Sequence, residues 1–283
     1  MGDVTTVGFV GLGNIGKPMA LRLASQLAGQ GDALSVYDVM PEPLAELEQA
    51  GATVAGSVAQ LAGSVDVLCV MVREDDQVRD VLGQALGTAR DGLTVVVHST
   101  VAPDTPRQLE ITAAKHGVRL VDAPVSGGAM GAADGTLAIM VGGSDDAFAA
   151  ARPALQAMGS KVIHAGPIGA GTKFKLARNM MHFISFAAAT EAQRLAEADG
   201  LDLRALGDVV RHTDAITGGP GAIMHRETAA PIADGDFWMG VFTHVADLGE
   251  KDLRFAAELA ESLGVDTPLA DLALLRLRTG LGL

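Results

Sequence analysis

Gly11, Gly13 and Gly16 close a short apolar run, Val7-Gly8-Phe9-Val10, at the start of the chain, and a helix-like pattern follows them. In that setting G-x-G-x-x-G is a phosphate cradle. Gly11 makes the tight turn, Gly13 lets a pyrophosphate approach the backbone, and Gly16 lets the helix pack on the strand. The helix start adds free N–H groups and a positive dipole end. Asp38 closes a second strand-like run, 33–37, where a carboxylate can accept hydrogen bonds from an adenosine ribose. A second set of polar residues interrupts a late apolar stretch. Phe174, Leu176, Ala177, Met180, Met181, Phe183, Ile184, Phe186 and Ala187 are broken by Lys175, Asn179 and His182 at spacings of four and three. Those spacings put the three on one helical face. A lysine there is costly unless it meets a polar cavity or partner; the alternative is a lysine leaning out to solvent at a helix start, as Lys173 does. His182 reads better as a supporting or core side chain.

Two more segments carry candidate chemistry. Asp122-Ala123-Pro124-Val125-Ser126-Gly127-Gly128 follows the fifth strand-like run. Ligands of doubly wound sheets bind beyond the carboxyl ends of the strands. A Ser-Gly-Gly turn there can offer a hydroxyl and two unhindered N–H groups to an anion such as a carboxylate, or be only a turn. Gly249-Glu250-Lys251-Asp252-Leu253 opens a late helical stretch. Lys251 either closes over a ligand or is a solvated helix residue.

These residues need a scaffold. Strand-like runs fall at 5–10, 33–37, 67–72, 93–98, 118–122, 137–141 and 161–164, with helix-like stretches at 17–28, 43–50, 77–86, 105–116 and 145–158. The alternation predicts a Rossmann-type α/β domain with a doubly wound, mostly parallel sheet over residues 1–165. A glycine-dense segment with a proline, 165–171, breaks the pattern. Residues 166–283 are expected to form an all-helical domain, opened by one long helix over 172–199 and continued by helices near 203–211, 221–228, 245–263 and 269–278. A helix apolar nearly all round is expected to be buried.

Composition sets the outer limits. Hydrophobic residues make up 48% of the 283, ample for a core, and the net charge is −13. So acidic a chain has no general electrostatic attraction to nucleic acid or anionic membranes. Cys69, the only cysteine, lies within an apolar run and is expected to be a buried thiol. No apolar run reaches the length of a membrane span, and the first strand starts too near Met1 to leave room for a secretory leader. A cytoplasmic protein is expected, and no histidine shows a metal-ligand spacing.

Taken together, these segments resemble the β-hydroxyacid dehydrogenase family. It includes 3-hydroxyisobutyrate dehydrogenases, tartronate semialdehyde reductases, glyoxylate/succinic semialdehyde reductases and the core of 6-phosphogluconate dehydrogenases. The N-terminal motif falls on Gly11-Leu12-Gly13-Asn14-Ile15-Gly16-Lys17-Pro18-Met19-Ala20, and the substrate motif on the segment from Asp122 to Gly128. The motif G-x-G-x-x-x-K-x-x-x-N falls on Gly169, Gly171, Lys175 and Asn179, and K-D-L on Lys251, Asp252 and Leu253. Three positions differ. Ile15 stands where Met is usual and Arg73 where Pro is usual. Arg178 replaces the first of two common asparagines, either as a surface change or as added charge near the site.

The resemblance implies an NAD-dependent dehydrogenase without metal. Lys175 would be the acid/base, and Ser126, Gly127, Gly128 and Asn179 would hold a small carboxylate-bearing substrate. Gly11, Gly13, Asn14, Ile15, Gly16, Asp38, Met71, Val72, Thr100 and Lys251 would line the cofactor. A lysine base needs its pKa brought toward neutrality, which an apolar helix and a cationic nicotinamide both favour. Asp38, followed by Val39 and Met40, predicts NAD over NADP. A homodimer or homotetramer is implied. Inactive dinucleotide-binding relatives and imine reductases of this fold typically replace the lysine, so Lys175 argues against both. A full 6-phosphogluconate dehydrogenase would have a longer helical domain and a His at position 178.

Overall fold

The computed structural model describes residues 6–28 and 34–283. Thr5 and Ala33, the predicted first residues of two strands, lie outside them. The strands are β1 (Val7–Val10), β2 (Leu34–Tyr37), β3 (Thr53–Val54), β4 (Val67–Val70), β5 (Thr94–Val97), β6 (Arg119–Asp122), β7 (Val125–Ser126), β8 (Ala138–Gly142) and β9 (Lys161–Gly166). The helices are α1 (Gly16–Ala28), α2 (Glu42–Gln49), α3 (Val58–Ala62), α4 (Asp75–Leu86), α5 (Thr105–Ala114), α6 (Gly128–Asp134), α7 (Asp145–Met158), α8 (Ala170–Ala198), α9 (Leu203–Thr217), α10 (Phe237–Leu263) and α11 (Pro268–Gly280). The chain divides into two compact units, Met1–Arg178 and Asn179–Leu283. The division falls inside α8, so Lys175 belongs to the first unit.

The first unit is a twisted sheet in the order β3-β2-β1-β4-β5-β6-β8-β7, with β9 alongside β8. Strands β1 to β6 run parallel, and β8 turns antiparallel against β6 and β7. The central strands read as nearly unbroken apolar runs because both faces are covered. Alternate residues divide between the two faces. Phe9, Val36, Cys69, Val96 and Val121 pack with Met19 and Leu23 of α1 and Leu155 of α7. Val10, Leu68, Val70, Val95 and Val97 pack with α3, α4 and α5 through Leu61, Val78, Leu82 and Leu109. Each such leucine or valine withdrawn from water stabilises the fold by about 1.5–3 kcal/mol. Cys69 is fully buried among them, and burial pushes its thiol up to about 12, so it is an inert core side chain.

The second unit is helical. Asp236 caps α10, accepting a hydrogen bond from Trp238 N at 2.8 Å, and the helix starts at Phe237, ahead of the expected 245–263. Gly218, at φ +91°, ends α9 beyond the expected Arg211. The helix expected over 221–228 does not form: a 3-10 turn occupies Gly219–Gly221 and turns follow it. Pro220 between two glycines favours the tight turn over a continued helix. Ile232, Phe242, Ala246 and Leu281 make a small core. Among the described residues no helix is long and apolar enough to cross a membrane.

Candidate active site

The β1–α1 turn shows why three glycines are needed. Gly11 has φ +93°, and a Cβ there would lie 2.2 Å from Met71 O. A Cβ on Gly16 would lie 1.9 Å from Gly11 O, so the turn and helix meet backbone to backbone. Gly13 differs: a Cβ there would meet no protein atom within 4 Å. Its side is open, toward a cavity of about 480 Å³ lined by Leu12, Gly13, Asn14, Lys17, Asp38 and Met40 among others. Among the described residues nothing crowds Gly13, so room for an approaching pyrophosphate accounts for the glycine. Ile15 begins the turn into α1 and packs partly buried against the core. Asp38 leaves the end of β2. Its Oδ2 accepts from Leu12 N at 2.5 Å and its Oδ1 from Met40 N at 2.8 Å. The phosphate loop thus fixes the carboxylate at the rim of the same cavity, and the residues present fit an adenine dinucleotide.

Further along the sheet edge, Met71 and Val72 follow β4. Met71 N continues the ladder to Val10 O at 2.9 Å. Val72 is held from both sides by Ser99: Val72 N donates to Ser99 Oγ at 3.0 Å, and Ser99 Oγ donates to Val72 O at 2.8 Å. That pair fixes the loops after β4 and β5 to one another, with Thr100 exposed next to it. Sequence reasoning gave Ser99 no role, because its partner lies 27 residues away. Behind the loop His98 is buried, with Nδ1 2.8 Å from Ala123 O, and burial lowers its pKa to about 4. It is therefore a neutral packing residue against Phe9.

The third part of the site brings Lys175 and Ser126 together. Ser126 ends β7, a two-residue strand paired with Ile139 and Ala138 of β8. Lys175 lies in the second turn of α8 and donates from Nζ to Ser126 Oγ at 2.8 Å. Gly127 and Gly128 follow Ser126 at φ +135° and +64°, backbone that side chains disfavour. The lysine is only 8% exposed. Burial, and to a smaller extent the nearby Arg178 guanidinium, together lower its pKa to about 8. A large fraction of the amine is then neutral near pH 8, as a proton acceptor requires.

Glycines also bring α8 to this position. Gly169 has φ +87°, and a Cβ on Gly171 would lie 2.2 Å from Met140 O and 2.7 Å from Asp122 O. The start of α8 therefore lies directly on the ends of β6 and β8. Between them is Asp122, with no exposed surface. Its Oδ1 accepts from Gly169 N at 2.7 Å and its Oδ2 from Thr172 N at 2.6 Å. Burial raises its pKa, while the Thr172 and Gly169 N–H groups act against that rise. Asn179 and Lys251 belong to the second unit. Asn179 is one turn along α8 from Lys175, and Lys251 is on α10, half exposed and 3.2 Å from Asp252. His182 packs against Phe186, ring centroids 4.3 Å apart, as a supporting side chain would.

Residues 6–166 match the family described as the NAD binding domain of 6-phosphogluconate dehydrogenase. Residues 169–280 match the one described as NAD-binding of NADP-dependent 3-hydroxyisobutyrate dehydrogenase. An uncharacterised oxidoreductase of Mycobacterium tuberculosis is 49% identical, over 99% of this chain and 94% of its own. The NAD-dependent L-serine dehydrogenase of Pseudomonas aeruginosa is 34% identical, over 95% of this chain and 89% of its own. The solved structure of Mycobacterium tuberculosis 3-hydroxyisobutyrate dehydrogenase with L-serine is 31% identical. It covers 98% of this chain and 93% of its own, with a TM-score of 0.67. The chain belongs to the β-hydroxyacid dehydrogenase family, as an NAD-binding oxidoreductase related to the 3-hydroxyisobutyrate dehydrogenases.

Proposed function

We propose that the protein oxidises small β-hydroxy acids to the corresponding semialdehydes, or runs the reverse reduction, with NAD preferred over NADP. The observation that carries this reading is the buried Lys175 amine, lowered to about 8 and 2.8 Å from Ser126 Oγ. In the oxidation Lys175 takes the hydroxyl proton, and in the reduction its ammonium returns one to the same oxygen. A bound nicotinamide would accept the hydride in the oxidation and, in its reduced form, would supply it in the reduction. Ser126 and the Gly127 and Gly128 N–H groups receive the carboxylate, and Asn179 orients the substrate by the family motif. Asp38 favours a ribose diol and repels a 2′-phosphate. L-serine is itself a β-hydroxy acid, so the two relatives that act on it or bind it support the class.

The test is a panel of 3-hydroxyisobutyrate, L-serine, 3-hydroxypropionate and their methyl esters, with NAD and with NADP, following reduced-cofactor absorbance. Free acids with NAD are expected to lead. Esters lose much of kcat/KM because the anion turn is left unpaired. Lys175→Ala falls by roughly 10²–10⁴ with NAD affinity retained. Simple alcohols turning over as well as the acids would overturn the reading.

A further inference from the structure

Asp122 stands where two parts of the site meet. It is the last residue of β6, and four residues later the same strand end has led into Ser126. Its carboxylate takes one N–H from Gly169 and one from Thr172, so each oxygen holds one end of the first turn of α8. Lys175 is three residues beyond Thr172, less than one helical turn. The Lys175 to Ser126 hydrogen bond closes the circuit from the other side. Both surroundings are rigid. A Cβ on Gly142 of β8 would lie 2.3 Å from Asp122 Oδ1 and 2.8 Å from Ala170 N and Gly171 N, so the carboxylate has no room to relax in that direction. An anion at a helix N-terminus is also favoured by the helix dipole.

We infer that Asp122 is a positioning residue for the proton-transfer lysine: its carboxylate fixes the register of α8 against β6, and so the place of the Lys175 amine beside Ser126. Asp122 touches no reacting atom in this assignment. Asparagine is the same size but presents one oxygen and one amino group. The amino group must then face the N–H of Gly169 or Thr172, donor against donor, at a side chain with no exposed surface. The first turn of α8 shifts, and the amine leaves its desolvated place. The inference rests on the proposed acid/base role of Lys175 only where it touches rate. Its structural half is read independently of activity.

The experiment compares wild type, Asp122→Asn, Gly142→Ala and Lys175→Ala. The pH dependence of chemical labelling at Lys175, followed by peptide mass spectrometry, reports the amine without turnover. In the wild type the labelling midpoint is expected near 8. In Asp122→Asn and Gly142→Ala it moves up toward the ordinary lysine value of 10.5, while NAD affinity by calorimetry stays within about threefold and kcat falls roughly 10–100-fold. An unmoved midpoint in folded Asp122→Asn overturns the inference, as does equal loss of NAD binding. If Asp122→Asn does not fold, Gly142→Ala decides. Failure of both to fold overturns it too, since Asp122 would then hold the fold and not the lysine. If Lys175→Ala retains activity, the acid/base reading fails, while the labelling midpoints still judge Asp122.

Discussion

In the proposed reaction Lys175 concentrates the chemistry in one amine, and its environment sets a direction in pH. Its folded pKa, about 8, lies below the ordinary 10.5 because burial disfavours the ammonium. Hydroxy acid oxidation needs the neutral amine, so kcat/KM is expected to rise as pH increases through about 8 and then level. Reduction needs the ammonium and is expected to be level below about 8 and to fall above it. Profiles in both directions check this, and an oxidation profile flat from about pH 7 to 9 contradicts it. The same depression acts on stability. Between about 8 and 10.5 the unfolded chain binds more protons, so stability present above 10.5 is lost as pH falls to about 8, on the order of 3 kcal/mol. Lys175 and Ser126 were legible in the sequence because each broke a local pattern, an apolar helix or a strand end. Asp122 was legible only as part of a motif. Its partners are 47 and 50 residues away, and no local spacing encodes a hydrogen bond across that distance.

At the scale of elements, alternation foretold the parallel sheet because each buried strand is a short apolar run and each helix shows its own period. The two-residue strands β3 and β7 escaped notice, as did the short helices α3 and α6, which have too few residues to establish any period. The second unit was harder to read. Its helix limits depend on caps, such as Asp236 and Gly218, that resemble ordinary loop residues. Glu191 is another such device, placed far from the helix it serves. Buried on α8, it accepts from Leu269 N at 2.9 Å and Ala270 N at 3.1 Å, and so caps α11. Glu191→Gln leaves one of those N–H groups facing an amino group. The expected cost is about 1–3 kcal/mol, a fall of roughly 3–8 °C in Tm by calorimetry. A Tm unchanged within about 1 °C would show that the cap contributes nothing measurable.

On the scale of the whole molecule, one expectation meets a difference. A helix as apolar as the middle of α8 was expected to be buried, yet in the single chain Phe183 is 60% exposed and Phe186 55%. They are not isolated cases: in the second unit Ile216 and Phe237 are about three-quarters exposed. Scattered apolar side chains are ordinary on a surface, but a dense set of this kind marks an interaction face. The single chain does not bury this stretch, and a sequence carries no sign of whether a covering surface comes from the same chain or another. We propose that a second copy of the chain supplies it, in a symmetric dimer or a tetramer built from such dimers. Burying each aromatic ring would favour association by about 1.5–3 kcal/mol, before the entropy lost on pairing. Sedimentation equilibrium is expected to give a homo-oligomer. Phe183→Glu with Phe186→Glu is expected to shift it toward monomer with NAD affinity retained, since Gly13 and Asp38 lie in the first unit. A wild-type protein that sediments as a monomer at every concentration would refute the assembly and leave those side chains without an account.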